Sequence, residues 1–193
     1  MAVSYKWPDS VINGNKLLLR HSKGFPAGGW LAPLKGALDF LNAYMSKHKI
    51  ALTYEMAGEE GRSHVLLDTM PGNGMHGQAE LGIGGSGGKE FLTSITIKVP
   101  ATPRVSPLDS KSRIVGDGIK TCILVHELIH SLGLPNEQHT NADIFSKVFQ
   151  LLPGTTGAGD KIQWDASSPS MPPPVINDAT LQKIKLVWPA TAP

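Results

Sequence analysis

Three residues on one short stretch could do chemistry together: His126, Glu127 and His130, in the run V-H-E-L-I-H-S-L-G that starts at Val125. On a helix, side chains four residues apart stack on one face, with Cβ atoms roughly 5–6 Å apart. Two imidazoles placed so can reach one Zn²⁺ at about 2.0–2.1 Å each. Glu127 lies one residue round from His126, so it joins that pair poorly but can lean over a water on the metal. A zinc with three protein ligands keeps a fourth position open and lowers the pKa of its water to about 7. Glu127 would take a proton as water attacks a carbonyl, then hand it to the leaving amine. Two histidines at this spacing can also be satisfied core residues. A glutamate between them, in an otherwise apolar helix, argues against that, because Glu is almost never fully buried unless paired.

The elements that must position these groups can be read from hydrophobic spacing. From Ile119 to Leu132 the chain is apolar on nearly every side, through Cys122, Ile123, Leu124, Val125, Leu128 and Ile129, which predicts a buried helix. Gly133 is placed to end it as a C′ glycine. Upstream, Lys16 to His21 reads as a short strand. Leu31 to His48 reads as a helix with Leu34, Leu38, Leu41, Tyr44, Met45 and His48 on one face and Pro33 in its first turn. Alternation then predicts strands over Ile50 to Met56, His64 to Asp68, Ala79 to Ile83 and Phe91 to Val99, followed by a proline-rich loop over 100–116. Downstream, Thr140 is expected to cap a helix with Ile144, Phe145, Val148, Phe149 and Leu152 inward. A Gly/Pro/Ser loop over 153–175 follows, then a last helix capped by Asn177 with Leu181, Ile184, Val187 and Trp188 inward. The class is α+β.

The match His126-Glu127-x-x-His130-x-x-Gly133 resembles the metzincin clan of zinc metallopeptidases. Ser170-Met171-Pro172, with Met171 lying 41 residues after His130, is similar to the clan's Met-turn beneath the zinc. The element order is similar as well. The resemblance implies a twisted mixed five-stranded sheet with a backing helix and a zinc helix, and a smaller helical C-terminal subdomain. It implies one catalytic domain over 1–193, divided near residues 133 and 134. It implies one Zn²⁺ per chain and an endopeptidase with Glu127 as general base. Substrate would lie extended along an edge strand, placed at Ala79 to Gly84, so that Ala79, Leu81 and Ile83 are candidate binding residues. Side-chain pockets would be floored near Met171 to Pro174, with Pro172 among the contacts.

The sequence departs from the clan's pattern at the third ligand. The usual position is 136, and that residue is Asn136. A neutral amide oxygen is a poor zinc ligand beside imidazole or carboxylate. His139, just before the expected cap Thr140, is the preferred third ligand, with Asn136 bracing the turn; Asn136 itself, Glu137 and Asp143 remain the alternatives. No tyrosine follows Met171, so the tyrosine that some members place near the zinc has no counterpart.

The bulk properties narrow the rest. Hydrophobic residues are 40% and charged residues 18% of 193, with net charge +2, an ordinary globular composition. No Lys/Arg run concentrates the charge, so neither a nucleic acid nor a membrane is expected as partner, only a peptide or protein substrate for a monomeric chain. The longest apolar run near the start, Leu17 to Leu19, is too short for a signal-peptide core or a membrane span. Action in the cytosol, leaderless export, or a leader outside this sequence all fit. The single Cys122 excludes an intrachain disulfide and is expected to be a small buried apolar side chain.

Gly82-x-Gly84-x-x-Gly87 matches a dinucleotide fingerprint, but a strand and not a helix is expected after it, so a turn between antiparallel strands accounts better for the glycines. Ile83 and Glu90 likewise break a P-loop. His21, His48 and His64 belong to no motif, and His76 is a remote cleft candidate. Two rival readings use the same residues: a zinc-holding, non-proteolytic interaction or toxin-like module, and a zinc amidase acting on a small substrate.

Overall fold

The structure is a computed structural model, and it describes residues 5–58, 61–74, 76–104, 114–135, 150–151, 162–163 and 174–190. The alternating segments do form strands: β1 (Lys16–His21), β2 (Thr53–Met56), β3 (Val65–Met70), β4 (Gln78–Ser86) and β5 (Lys89–Pro100). Ahead of β1 lies α1 (Asp9–Gly14), which the spacing does not announce because none of its residues is buried. Two helices follow β1 and β5 respectively: α2 (Ala27–Lys47) and α3 (Asp117–His130).

The sheet order is β2-β1-β3-β5-β4. β1 runs parallel to β2 and β3, β3 runs parallel to β5, and β4 alone is antiparallel, paired with β5. Parallel neighbours need long crossovers, and α2 supplies the one between β1 and β2. The antiparallel pair closes through Gly87 and Gly88, both at positive φ (61° and 77°), as a two-residue hairpin turn requires. The chain is therefore α+β with a mixed five-stranded sheet, and β4 occupies one edge of it.

One face of the sheet is dry. Leu17, Leu19, Val65, Leu67, Ile95, Ile97 and Val99 are fully buried and share one cluster with Trp30, Leu34, Leu41 and Met45 of α2 and Leu124, Val125, Leu128 and Ile129 of α3. The same cluster takes in Leu181, Ile184 and Val187 of the C-terminal helix α4 (Asp178–Val187) and Trp188, which follows it in an extended conformation; all four face inward as expected. Asn177 caps α4, its Oδ1 accepting from Thr180 N–H at 2.8 Å.

Helix α2 differs from its expectation. It begins at Ala27, so Pro33 sits inside it and not in its first turn. A proline there removes the N–H that would bond the carbonyl four residues back, at Gly29. That carbonyl instead accepts from Lys120 Nζ of α3 at 2.9 Å. The strand expected from Ile50 is also shorter, because Ile50 forms only an isolated bridge with Ala190. The helix expected after Thr140 lies mostly outside the described residues. At its far end, however, β6 (Gln150–Leu151) pairs with β7 (Ile162–Gln163), so that end is extended and the following loop is interrupted. Among the described residues, no helix is long and apolar enough to cross a membrane.

Candidate functional site

Helix α3 is buried almost throughout, and its last turn is held from three sides. The closing carbonyls of a helix lack intrahelical donors. Here Tyr54 Oη donates to Leu128 O at 3.1 Å and lies 2.9 Å from Ser131 Oγ, which itself donates to Leu128 O at 2.6 Å. Trp7 Nε1 donates to Ser131 O at 2.7 Å. The chain then turns at Gly133, whose φ is +93° and whose missing Cβ leaves room for the Tyr5 carbonyl. Tyr54 and Trp7 come from β2 and the N-terminal segment, so distant parts of the chain fix the end of this helix.

His126, Glu127 and His130 lie together on this rigid turn. The rings of His126 and His130 are 5.6 Å apart between centroids and inclined at 61°. His130 is 2% exposed and Glu127 4%. His130 Nδ1 lies 2.8 Å from the Leu134 carbonyl. A carbonyl only accepts, so Nδ1 carries a proton, and in the neutral form the ring presents its lone pair on Nε2. This is the way a metal-binding imidazole is usually braced. Nε2 lies 3.9 Å from Glu127 Oε2. Burial pushes the Glu127 carboxyl up to about 7, with a smaller opposing pull from the backbone N–H of Gly77. Gly77 immediately precedes β4, so the edge of the sheet passes directly beside Glu127.

These groups suit a zinc ion in chemistry: two neighbouring imidazoles, one with its tautomer set by a carbonyl, and a carboxyl beside them. Among the described residues no group of three His, Cys, Asp or Glu is placed to hold a metal. The candidates for the third ligand (His139, Asn136, Glu137 and Asp143), and Met171 and Pro172 of the expected Met-turn, lie outside the described residues.

Of the candidate binding residues, Ala79 and Leu81 are half-buried against the core. Ile83 follows a register shift between Gly82 and Ile83 and is 45% exposed. Cys122 is buried as expected, and burial pushes its thiol up to about 12, far from a thiolate ligand. The other histidines play local parts. His64 Nδ1 accepts from Leu18 N–H at 3.0 Å, His48 packs on Tyr44 and His21 on Phe25, while His76 is exposed.

Gly77 is the site residue that hydrophobic spacing misses. A lone glycine before a strand carries no signal of what it will touch, and its neighbour Glu127 lies 50 positions further on. Compared with protein-family models, curated proteins and solved structures, the chain finds no match.

Proposed function

We propose that this chain is a zinc-dependent endopeptidase of the metzincin kind. The observation that carries the proposal is the buried Glu127 carboxyl beside two neighbouring imidazoles on a helix end that the rest of the core holds rigid. His126 and His130 would hold the metal, with His139 the preferred third ligand. Zinc bound there would supply Lewis acidity, polarising a carbonyl and acidifying a water for attack at neutral pH. Glu127 would accept a proton from the attacking water and pass it to the departing amine. Its burial limits competing solvent.

The fold arrangement supports the metzincin reading: a backing helix, a buried helix that carries His126, Glu127 and His130, and a mixed five-stranded sheet whose antiparallel strand is at the edge. That edge strand, β4, pairs on one side only among the described residues. Its other side presents backbone N–H and C=O groups to which an extended peptide can add as a further strand. Such pairing gives affinity with little sequence preference. A closed structural zinc site, the rival reading, needs no general base.

The test is hydrolysis of casein by the zinc-loaded chain and by Glu127→Gln. The variant should keep its zinc and lose about 10²–10⁴ in rate. Equal cleavage by both would remove Glu127 from the mechanism. Cleavage by neither, with zinc bound, would favour the non-proteolytic module.

A further inference from the structure

We infer that Gly77 is a positioning residue for Glu127: because it has no side chain, the start of β4 can close against the glutamate and set the distance between the strand edge and the carboxyl. This rests on the reading of Glu127 as general base.

The space around Gly77 is filled on two sides. A Cβ built there would come within 2.6 Å of Glu127 Cγ, 3.0 Å of Glu127 Cδ and 2.9 Å of the Lys98 carbonyl oxygen. The Lys98 carbonyl belongs to β5, and Gln78 next door is in register with Lys98. The backbone at 77 is thus wedged between a strand and the side chain of Glu127, in contact with both. Gly87 and Gly88 serve the hairpin, with open space around them and positive φ, while Gly82 and Gly84 face side chains of the neighbouring strand, Ser94 and Thr93. Gly77 takes no such φ. Its requirement is for closeness and not for a turn.

The functional consequence follows from what β4 would do. A peptide added to β4 is placed by that strand's backbone, and the proton acceptor is placed by α3. Gly77 is where the two touch. A glutamate side chain with three rotatable bonds can adopt many rotamers, and contact with Gly77 restricts this one beside the strand that would carry the scissile bond. A methyl group at 77 would push the carboxyl aside or lift the strand, and either changes the near-attack geometry, where displacements of about 1 Å can cost 10²-fold.

The experiment compares Gly77→Ala, Glu127→Gln and the control Gly28→Ala, whose Cβ meets nothing within 4 Å. Each is zinc-loaded, checked for zinc content and folded fraction, and assayed on a peptide. Gly77→Ala should lose at least tenfold in kcat per zinc-loaded molecule with KM changed less than about threefold, and Gly28→Ala should lose neither. A second readout needs no activity: the melting temperatures of metal-free parent, Gly77→Ala, Glu127→Ala and the double variant. The cost of Gly77→Ala should shrink by about half once the Glu127 side chain is trimmed, because two of its three obstacles are gone. If Gly77→Ala does not fold, recovery of folding in the double variant supports the proposal, and failure in both backgrounds overturns it. Parental kcat in Gly77→Ala beside an inactive Glu127→Gln overturns the positioning role and leaves the general base standing. Parental activity in Glu127→Gln overturns both.

Discussion

Lys120 and Glu127 stand two turns apart on α3, and both are buried, at 9% and 4% exposed. The two ends of the helix treat their charges differently. Lys120 donates to the Gly29 carbonyl at 2.9 Å, lies 3.7 Å from Asp117 and sits 5.9 Å from the centre of the Trp30 ring. Its hydrogen bond also fills the gap that Pro33 leaves in α2. Each of these partners stabilises the ammonium, and the residue joins two helices. Glu127 lies beside Gly77 N–H and a histidine nitrogen 3.9 Å away, and burial leaves its carboxyl near 7. A buried charge with a full set of partners is architecture. A buried carboxyl pushed up by burial, with few partners among the described residues, is the environment expected of a functional group and is the feature the proposed function rests on.

The difference can be broken by substitution, and the largest stability effect should come from Glu127. Its folded-state pKa stands above the ordinary value of 4.5, at about 7. The folded chain therefore holds this proton more tightly than the unfolded chain does. The resulting penalty is absent below pH 4.5, grows between 4.5 and 7, and is complete above 7. For the metal-free protein at neutral pH it amounts to about 3 kcal/mol. Glu127→Gln should then melt roughly 6–12 °C higher than the metal-free parent at pH 7.5 and near the parent at pH 4. A pH-independent difference would show that the carboxyl is not the cause.

The opposite sign is expected at the other end of the helix. Lys120→Met keeps the apolar stem but orphans the Gly29 carbonyl, and should destabilise the fold by about 1–3 kcal/mol in urea unfolding. Hydrolysis per folded molecule should be unchanged. Loss of hydrolysis with stability intact would place Lys120 in the site and not in the frame.

The smallest effect sharpens the account of α2. Pro33→Ala restores an N–H that can donate to Gly29 O. In that background Lys120→Met should cost about 1 kcal/mol less than in the parent, read as the coupling term of a double-mutant cycle. Strict additivity would mean that the ammonium is not standing in for the proline's missing donor.

These same residues mark where sequence reading reaches and where it stops. β1 was legible to the residue, and α3, α4 with its Asn177 cap, and the β4–β5 hairpin were legible because each announces itself in local spacing or turn chemistry. The start of α2 was not, since Gly28, Gly29 and Pro33 all argue against a helix, and the group that compensates for Pro33 is Lys120, 91 positions from the Gly29 carbonyl it satisfies. For the site, His126, Glu127 and His130 were legible as a spacing on one helix. Gly77 was not, because its part depends on a tertiary contact between a strand and that helix. His64, without a motif, turned out to brace Leu18 N–H, which again only the fold could reveal.

The end of α3 is proposed to be a zinc site as well as a buried helix end. Titrating Zn²⁺ into the metal-free chain by calorimetry tests it most directly, alongside His130→Ala and at two pH values. One zinc per chain is expected, with affinity lost in the variant and weakened in acid as the imidazoles protonate. No binding by the parent, or equal binding by His130→Ala, would contradict the account.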